Sequence, residues 1–171
     1  MTESTSTQNT LNKSHSVIPA LLTDKVAIVT GASRGLGAQI AQQMAAAGAI
    51  VCVNYLNSKE AAEAVVADII ATGGQAFAYQ ADVTDLEQVQ AMAAEVITRH
   101  GRIDILVNNA LPSYQFNPSA AYTSIETVRW SHFSQQMDGI VKGAVNTVQA
   151  VLPQMKAQQV GKIINISTNL V

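Results

Sequence analysis

The stretch that decides the fold is KVAIVTGASRGLG, residues 25–37. Its first half, KVAIV, is an apolar run typical of a buried strand, and an apolar side chain then recurs every four positions, as in a helix. Gly31, Gly35 and Gly37 between them permit a tight turn, close approach of the backbone to a ligand, and close helix packing. The helix that follows would offer free N–H groups to an anion such as a pyrophosphate. Strand-to-helix turns also use glycine for geometry alone, so both interpretations stay open here.

Working outward, the same alternation of apolar run and helical segment continues along the chain. Strands are predicted at 25–32, 50–55, 75–83, 103–110 and 162–167, with helices between them and a long helical stretch over about 124–158. The fourth strand, IDILVNNA, is almost continuously apolar, as expected of a strand covered on both faces. Alternating strands and helices imply βαβ units with right-handed crossovers. The sequence therefore predicts a doubly wound, parallel α/β sheet of five strands, Rossmann-like in architecture.

Composition narrows the possible functions. The chain has 171 residues, the length of one domain, and a net charge of −2, which gives no electrostatic reason to expect nucleic acid or a membrane as partner. Its three histidines, at 15, 100 and 132, are too scattered to suggest a metal site. The single cysteine, Cys52, excludes an internal disulfide and is expected to be a small buried hydrophobe. No metal is therefore expected.

The amino-terminal segment differs from the rest. It is rich in Ser, Thr, Asn and Gln, so we expect residues 1–23 to be a disordered tail and residues 24–171 to form the nucleotide-binding domain. The tail lacks the basic start and apolar stretch of a secretory signal, and no apolar run is long enough for a membrane span. A cytoplasmic location is the expectation from these features.

Four segments occur in a characteristic order: TGASRGLG (30–37), ADV (81–83), NNA (108–110) and KIINIS (162–167). The glycine spacing is G-x-x-x-G-x-G, and differs from the G-x-G-x-x-G of the common dinucleotide fingerprint. With these segments, the chain from Lys25 onward resembles the short-chain dehydrogenase/reductase family. Within that family it looks most like the branch that includes the 3-oxoacyl-acyl-carrier-protein reductases.

The resemblance implies a binding site for a nicotinamide dinucleotide. The glycine turn would hold the pyrophosphate and adenosine ribose, Asp82 would bond the adenine amino group with Val83 beside the ring, and NNA would line the cofactor cleft. Asp82 could instead cap the helix after it, although Thr84 and Asp85 can do so equally well. The cofactor-binding residues implied in this way are Gly31, Ser33, Arg34, Gly35, Leu36, Gly37, Asp82, Val83, Asn108, Asn109 and Ala110.

Charge at the end of the second strand favours one cofactor over the other. NAD sites usually have an acid there for the ribose 2′-hydroxyl, whereas this chain has NYLNS (54–58). Arg34 can supply a cation for a 2′-phosphate and Asn57 or Ser58 a hydrogen-bond donor, with Lys59 as another possible anion partner. We therefore expect NADP(H), with NAD as the alternative.

The chemistry implied by the resemblance is hydride transfer to a carbonyl, or in reverse from an alcohol, and reduction of the carbonyl needs a proton donor. In the family, this is a Tyr-x-x-x-Lys pair after the fifth strand, and a hydroxyl at the end of that strand steadies the substrate oxygen. That hydroxyl falls on Thr168, with Ser167 as its competitor, and alternation places the two on opposite faces. The tyrosine would follow beyond Val171, so we expect a fragment that is inactive alone. Tyr55 and Lys59 have the spacing but lie on the adenosine side.

Two departures from the family pattern motivate a second hypothesis beside the favoured one. Leu111 stands where the family has the glycine of NNAG, and Ile140 stands where it has a proton-relay asparagine. The first hypothesis is an NADP(H)-dependent oxidoreductase acting on a small carbonyl or alcohol substrate. The alternative is a complete but inactive nucleotide-binding or regulatory protein. We also expect the full protein to be a homo-oligomer, since the long helix with its valines resembles the family's subunit-contact helix, although core packing explains most of those valines equally well.

Overall fold

The computed structural model describes residues 20–111, 126 and 129–167. Residues 20–23 precede the first strand, and the Leu22 N–H donates to the Ala47 carbonyl at 2.9 Å. The elements in chain order are β1 (Val26–Val29), α1 (Gly35–Ala46), β2 (Ile50–Tyr55), α2 (Lys59–Ala71), β3 (Gln75–Gln80), α3 (Leu86–His100), β4 (Ile105–Asn108), α4 (Trp130–Met137), a π-helical turn (Asp138–Lys142), α5 (Gly143–Ala157) and β5 (Lys162–Asn165).

The five strands form one sheet in the order β3-β2-β1-β4-β5. Every neighbouring pair is parallel, which confirms the predicted doubly wound α/β fold. The chain builds outward from β1 in one direction and then, from β4, in the other. In open sheets of this kind, ligands bind at the carboxyl ends of the strands where the direction reverses. The fold therefore directs attention to the carboxyl ends of β1 and β4.

Helices cover both faces of the sheet because successive side chains of each strand point to opposite sides. Ala27 and Val29 pack with α1 and α2, whereas Val26 and Ile28 pack with α3 and α5. Cys52 belongs to the second cluster and is fully buried, as predicted. Burial raises the pKa of its thiol to about 12, against a smaller opposing effect of Arg99, so it is held as an unreactive thiol.

Several elements are shorter than the sequence pattern predicts. β4 ends at Asn108, because the Asn109 and Ala110 N–H groups leave the ladder and donate to the Thr30 hydroxyl. In the predicted 124–158 stretch, described helix begins at Trp130 and contains one π-helical turn. Periodicity identifies the elements. It does not identify the residue at which a backbone N–H group stops bonding to the neighbouring strand and bonds to a side chain.

An ion pair fixes the amino ends of β1 and β4, opposite the carboxyl edge. Asp104 is only 4% exposed, and its carboxylate accepts from the Val26 N–H at 2.9 Å and from two Arg102 nitrogens at 2.6 and 2.7 Å. Lys25 lies 3.9 Å away. Burial acts to raise the pKa of Asp104, but these hydrogen bonds and charges outweigh it and leave the pKa below its ordinary value.

Replacing this carboxylate is expected to destabilise the fold in a pH-dependent way. Asp104→Asn should lower the free energy of unfolding at pH 7 by about 1.5–3 kcal/mol, since it removes hydrogen bonds between charged groups. Because the pKa is lowered in the folded state, this stabilisation is present above the unfolded value of about 3.9 and is lost as pH falls through the folded value. Urea denaturation of both proteins from pH 7 to pH 3 checks this, and the difference should narrow below about pH 4.

Glu95→Gln is the control, because it breaks an exposed pair with Arg99. It should change the free energy of unfolding by at most about 0.5 kcal/mol. If the free energy of unfolding of Asp104→Asn differs from that of the unaltered protein by an amount that does not depend on pH, the loss of stability comes from side-chain shape and not from charge.

Candidate functional site

The glycine turn after β1 packs closely against the residues that follow β4. Gly31 and Gly35 have φ values of +60° and +57°, which side chains rarely adopt. A Cβ atom added to Gly31 would lie 2.8 Å from Ala110 Cα, and one added to Gly37 would lie 2.6 Å from the Gly31 oxygen. The turn is thus packed against the end of β4, and two of its glycines have no space for a side chain.

The amino end of α1 opens from this turn. The first N–H groups of any helix have no intrahelical acceptor, and in this helix the side chain of Arg34, at the cap position, makes no capping hydrogen bond. Arg34, Gly35 and Leu36 are exposed, whereas Ser33 is half-buried. Free donors and a guanidinium therefore stand together at the carboxyl edge of the sheet. The free N–H donors suit the pyrophosphate of a dinucleotide, and the guanidinium is a cation beside them.

β4 braces the turn from the side. The Asn109 side-chain amide donates to the Thr30 and Gly31 carbonyls at 2.9 and 3.2 Å. In the other direction, the Thr30 hydroxyl accepts from the N–H groups of Asn109 and Ala110 at 2.9 and 3.0 Å. Thr30 is 1% exposed and was not among the predicted site residues. The sequence feature that could have identified Thr30 is a hydroxyl side chain at the end of an apolar run.

Asn54 braces the turn from the other neighbour, β2. Its side-chain oxygen accepts from the Gly31 N–H at 3.2 Å, and its amide donates to the Ala81 carbonyl at 3.0 Å. The residue is 1% exposed and was also missed as a site residue. The sequence feature that could have identified it is an asparagine in the otherwise apolar run before Tyr55. Asn54 links the glycine turn to the segment that carries Asp82.

The residues predicted to bind the 2′-phosphate include Ser58, which follows the end of β2. Ser58 is half-buried at the cap position of α2, and its side chain makes no capping hydrogen bond. Lys59 pairs instead with Glu63 at 3.7 Å. Tyr55 lies in β2 and is 7% exposed, while Lys59 lies in α2. The Tyr55–Lys59 pair therefore does not share one helical turn and cannot act as a catalytic pair.

Asp82 does not cap α3. Its carboxylate accepts from the Thr84 N–H and hydroxyl, both at 2.8 Å. The cap is Asp85, which accepts from the N–H groups of Glu87 and Gln88 at 3.0 and 3.2 Å. Hydrogen bonds from Gln88 are the main cause of a lowered pKa at Asp85. Asp82 is left half-buried and is followed by buried Val83.

A cleft of about 100 Å³ lies between the ends of β4 and β5 and the start of α5. Ser167 lines it, whereas its competitor Thr168 lies outside the described residues. Both departures from the family pattern, Leu111 and Ile140, also line it, and they are 60% and 42% exposed. The remaining lining residues are Thr30, Val83, Asn108, Ala110, Gly143, Ala144, Asn165 and Ile166.

Within the described ranges, no three His, Cys, Asp or Glu side chains come together in a group that could hold a metal ion. Over the same residues, every helix is too short or too polar to cross a membrane.

The comparison with known proteins agrees with this geometry. The model of the short chain dehydrogenase family matches residues 25–170. A 3-oxoacyl-acyl-carrier-protein reductase of Staphylococcus aureus is 43% identical over 144 residues, which are 84% of this chain and 56% of the relative. The corresponding enzyme of Synechocystis is 40% identical over 147 residues, covering 86% and 57% of the two chains.

Solved structures show the same fold. A metagenomic short-chain oxidoreductase in complex with NADP has a TM-score of 0.75 and 34% identity over 86% of this chain and 64% of its own. A hydroxysteroid dehydrogenase from Escherichia coli has a TM-score of 0.74 and 34% identity over 88% and 61%. The chain spans somewhat more than half the length of the curated relatives it matches. On these grounds, and with the glycine turn and parallel sheet described above, the chain belongs to the short-chain dehydrogenase family of oxidoreductases.

Proposed function

We propose that the protein is an NADP(H)-dependent oxidoreductase that interconverts a small carbonyl compound and its alcohol. The observation that carries this proposal is the glycine turn at 31–37, which is braced by Asn109 and leads into the uncapped amino end of α1 beside Arg34. When bound, NADPH would supply the hydride. The protein's own residues would bind and orient it, and the NADP complex of a family member supports the choice of cofactor.

The residues proposed to hold the cofactor lie along the carboxyl edge. Arg34 and Ser58 would bind the 2′-phosphate, because residues 54–58 carry no carboxylate to repel it and neither side chain makes a helix-capping hydrogen bond. Asp82 would accept from the adenine amino group with Val83 against the ring. The other residues of the proposed site are Gly31, Ser33, Gly35, Leu36, Gly37, Asn108, Asn109 and Ala110.

The hydroxyl proposed to steady the substrate oxygen is Ser167 or Thr168. The position of Ser167 on the cleft supports it, and Thr168 stays a prediction. The 171 residues contain no Tyr-x-x-x-Lys besides Tyr55–Lys59, so the family's proton donor is assigned to no residue here. We expect this chain alone to bind cofactor without turning over substrate.

The second candidate function is that of an inactive nucleotide-binding or regulatory protein, and it is supported by Leu111 and Ile140. Both side chains line the cleft and are apolar, so neither can carry a proton in a relay. This candidate predicts cofactor binding without oxidoreductase activity in the whole protein. A turnover assay of the whole protein with NADPH and a panel of small ketones and aldehydes separates the two candidates.

A homo-oligomer and a cytoplasmic location belong to the proposal for the whole protein. Val151 packs in the core with 1% exposed, but Val145 on the same helix is 48% exposed. Val141 and Met137, one and two turns earlier, are 46% and 54% exposed. This apolar surface supports association with a second copy, as in the expectation from the family.

The proposed function is tested by the affinities for the two cofactors. We expect NADPH to bind at least about tenfold more tightly than NADH, since one hydrogen bond to a charged phosphate is enough for a decade in affinity. Fluorescence titration at fixed ionic strength measures both dissociation constants. Equal values would overturn the NADP preference, and failure to bind either would overturn the oxidoreductase proposal.

A further inference from the structure

The two halves of the proposed cofactor site lie on strands that are not direct neighbours in the sheet. Val83 follows β3 and Asn108 ends β4, and the sheet order places β2 and β1 between those strands. Ladder hydrogen bonds therefore link the adenosine side to the nicotinamide side only through the two intervening strands. A dinucleotide that spans both sides needs the distance between them to be fixed.

The first turn of α5 contacts the adenosine side. The Asn146 side chain is 6% exposed, and its amide donates to the Val83 carbonyl at 3.0 Å. Gly143, one turn earlier on the same face, lies so close that an added Cβ would be 2.8 Å from Val83 Cγ2. The helix backbone thus rests directly on Val83, and Asn146 holds its carbonyl.

The next residue of α5 contacts the nicotinamide side. The Thr147 hydroxyl is 2.6 Å from Asn108 Oδ1, closer than the Gly143 and Ala144 carbonyls at 3.0 and 2.9 Å. The Asn108 amide group donates to Asn165 Oδ1 at 2.9 Å, so its oxygen is the atom that needs a donor. Thr147 is 1% exposed and supplies that donor.

We propose that Asn146 and Thr147 are positioning residues that set the spacing of the two halves of the dinucleotide site. Asn146 acts on the adenosine half through Val83, and Thr147 acts on the nicotinamide half through Asn108. Neither side chain needs to touch the cofactor. This inference rests on the proposed NADP(H) function. It adds that two adjacent residues of α5 each position a different half of the site.

The test compares a whole cofactor with its adenosine half. Dissociation constants for NADPH and for 2′,5′-ADP are measured by calorimetry for the protein, Asn146→Leu and Thr147→Val. Asn146→Leu should weaken both ligands by about five- to tenfold, because it disturbs the half that both contain. Thr147→Val should weaken NADPH by a similar factor and leave 2′,5′-ADP within about twofold. Gln149→Ala, an exposed position on the same helix, is the control and should change neither.

Thermal melts of every variant accompany the titrations, and Asn146→Ala replaces Asn146→Leu if that variant does not fold. Equal weakening of both ligands by both variants would overturn the inference in favour of a purely structural role, as would unchanged affinities. If the unaltered protein binds 2′,5′-ADP and NADPH, the proposed function stands whatever the variants do. If it binds neither, the proposed function fails and the inference fails with it.

Discussion

Gly31→Ala is expected to weaken NADPH binding by at least about a hundredfold, the energetic equivalent of roughly 2.7 kcal/mol. The new methyl group would meet the Ala110 backbone at 2.8 Å, and the residue would be forced to keep a φ of +60°. The turn must then move away from β4, which displaces the N–H groups at the start of α1 from the position where a pyrophosphate would lie. Fluorescence titration with NADPH measures the effect.

The control for this substitution is Gly73→Ala. Gly73 has a φ of +85° but nothing within 4 Å of an added Cβ, and it lies in the turn after α2. The free energy of unfolding of the Gly73→Ala protein should fall by about 1 kcal/mol because of backbone strain, and its affinity for NADPH should be unchanged. If Gly31→Ala binds NADPH as the unaltered protein does, the glycine turn is not the cofactor site.

Arg34→Glu is expected to reverse the cofactor preference. It removes a cation from beside the proposed 2′-phosphate and adds a like charge, so the affinity for NADPH should fall by about a hundredfold. The affinity for NADH, which has no such phosphate, should change by less than about fivefold. Because Arg34 is exposed, the loss should shrink as ionic strength rises. Parallel titrations with both cofactors at two salt concentrations provide the measurement.

Lys156→Glu is the matched control, since it makes the same change in net charge at an exposed residue near the end of α5. It should leave both affinities unchanged. Equal losses for NADPH and NADH in Arg34→Glu would assign Arg34 to the pyrophosphate, which the two cofactors share, and would refute its role in choosing between them.

The sequence predicted the strand and helix order because each element carries its own periodicity, as in KVAIV and IDILVNNA. It could not predict where β4 ends, since that depends on Thr30, which is 79 positions from Asn109. Asn54 was visible as a polar residue in an apolar run, but its partners Gly31 and Ala81 are 23 and 27 positions away. The question of which residue caps α3 stayed open for a different reason. Thr84 and Asp85 both have capping side chains, and only backbone geometry chooses between them.

The brace between Asn109 and the glycine turn also has a consequence for biosynthesis. The two hydrogen bonds join residues 78 and 79 positions apart, with β2 and β3 made in between. A ribosome adding about 5–20 residues per second needs about 4–16 s to cover that interval. Asn54 is made 23 positions after Gly31, so from that point until the end of the interval the nascent glycine turn can be supported by Asn54 but not by β4. The proposed nucleotide site is therefore completed only after translation of the fourth strand, well after the residues that would bind the phosphates have left the ribosome.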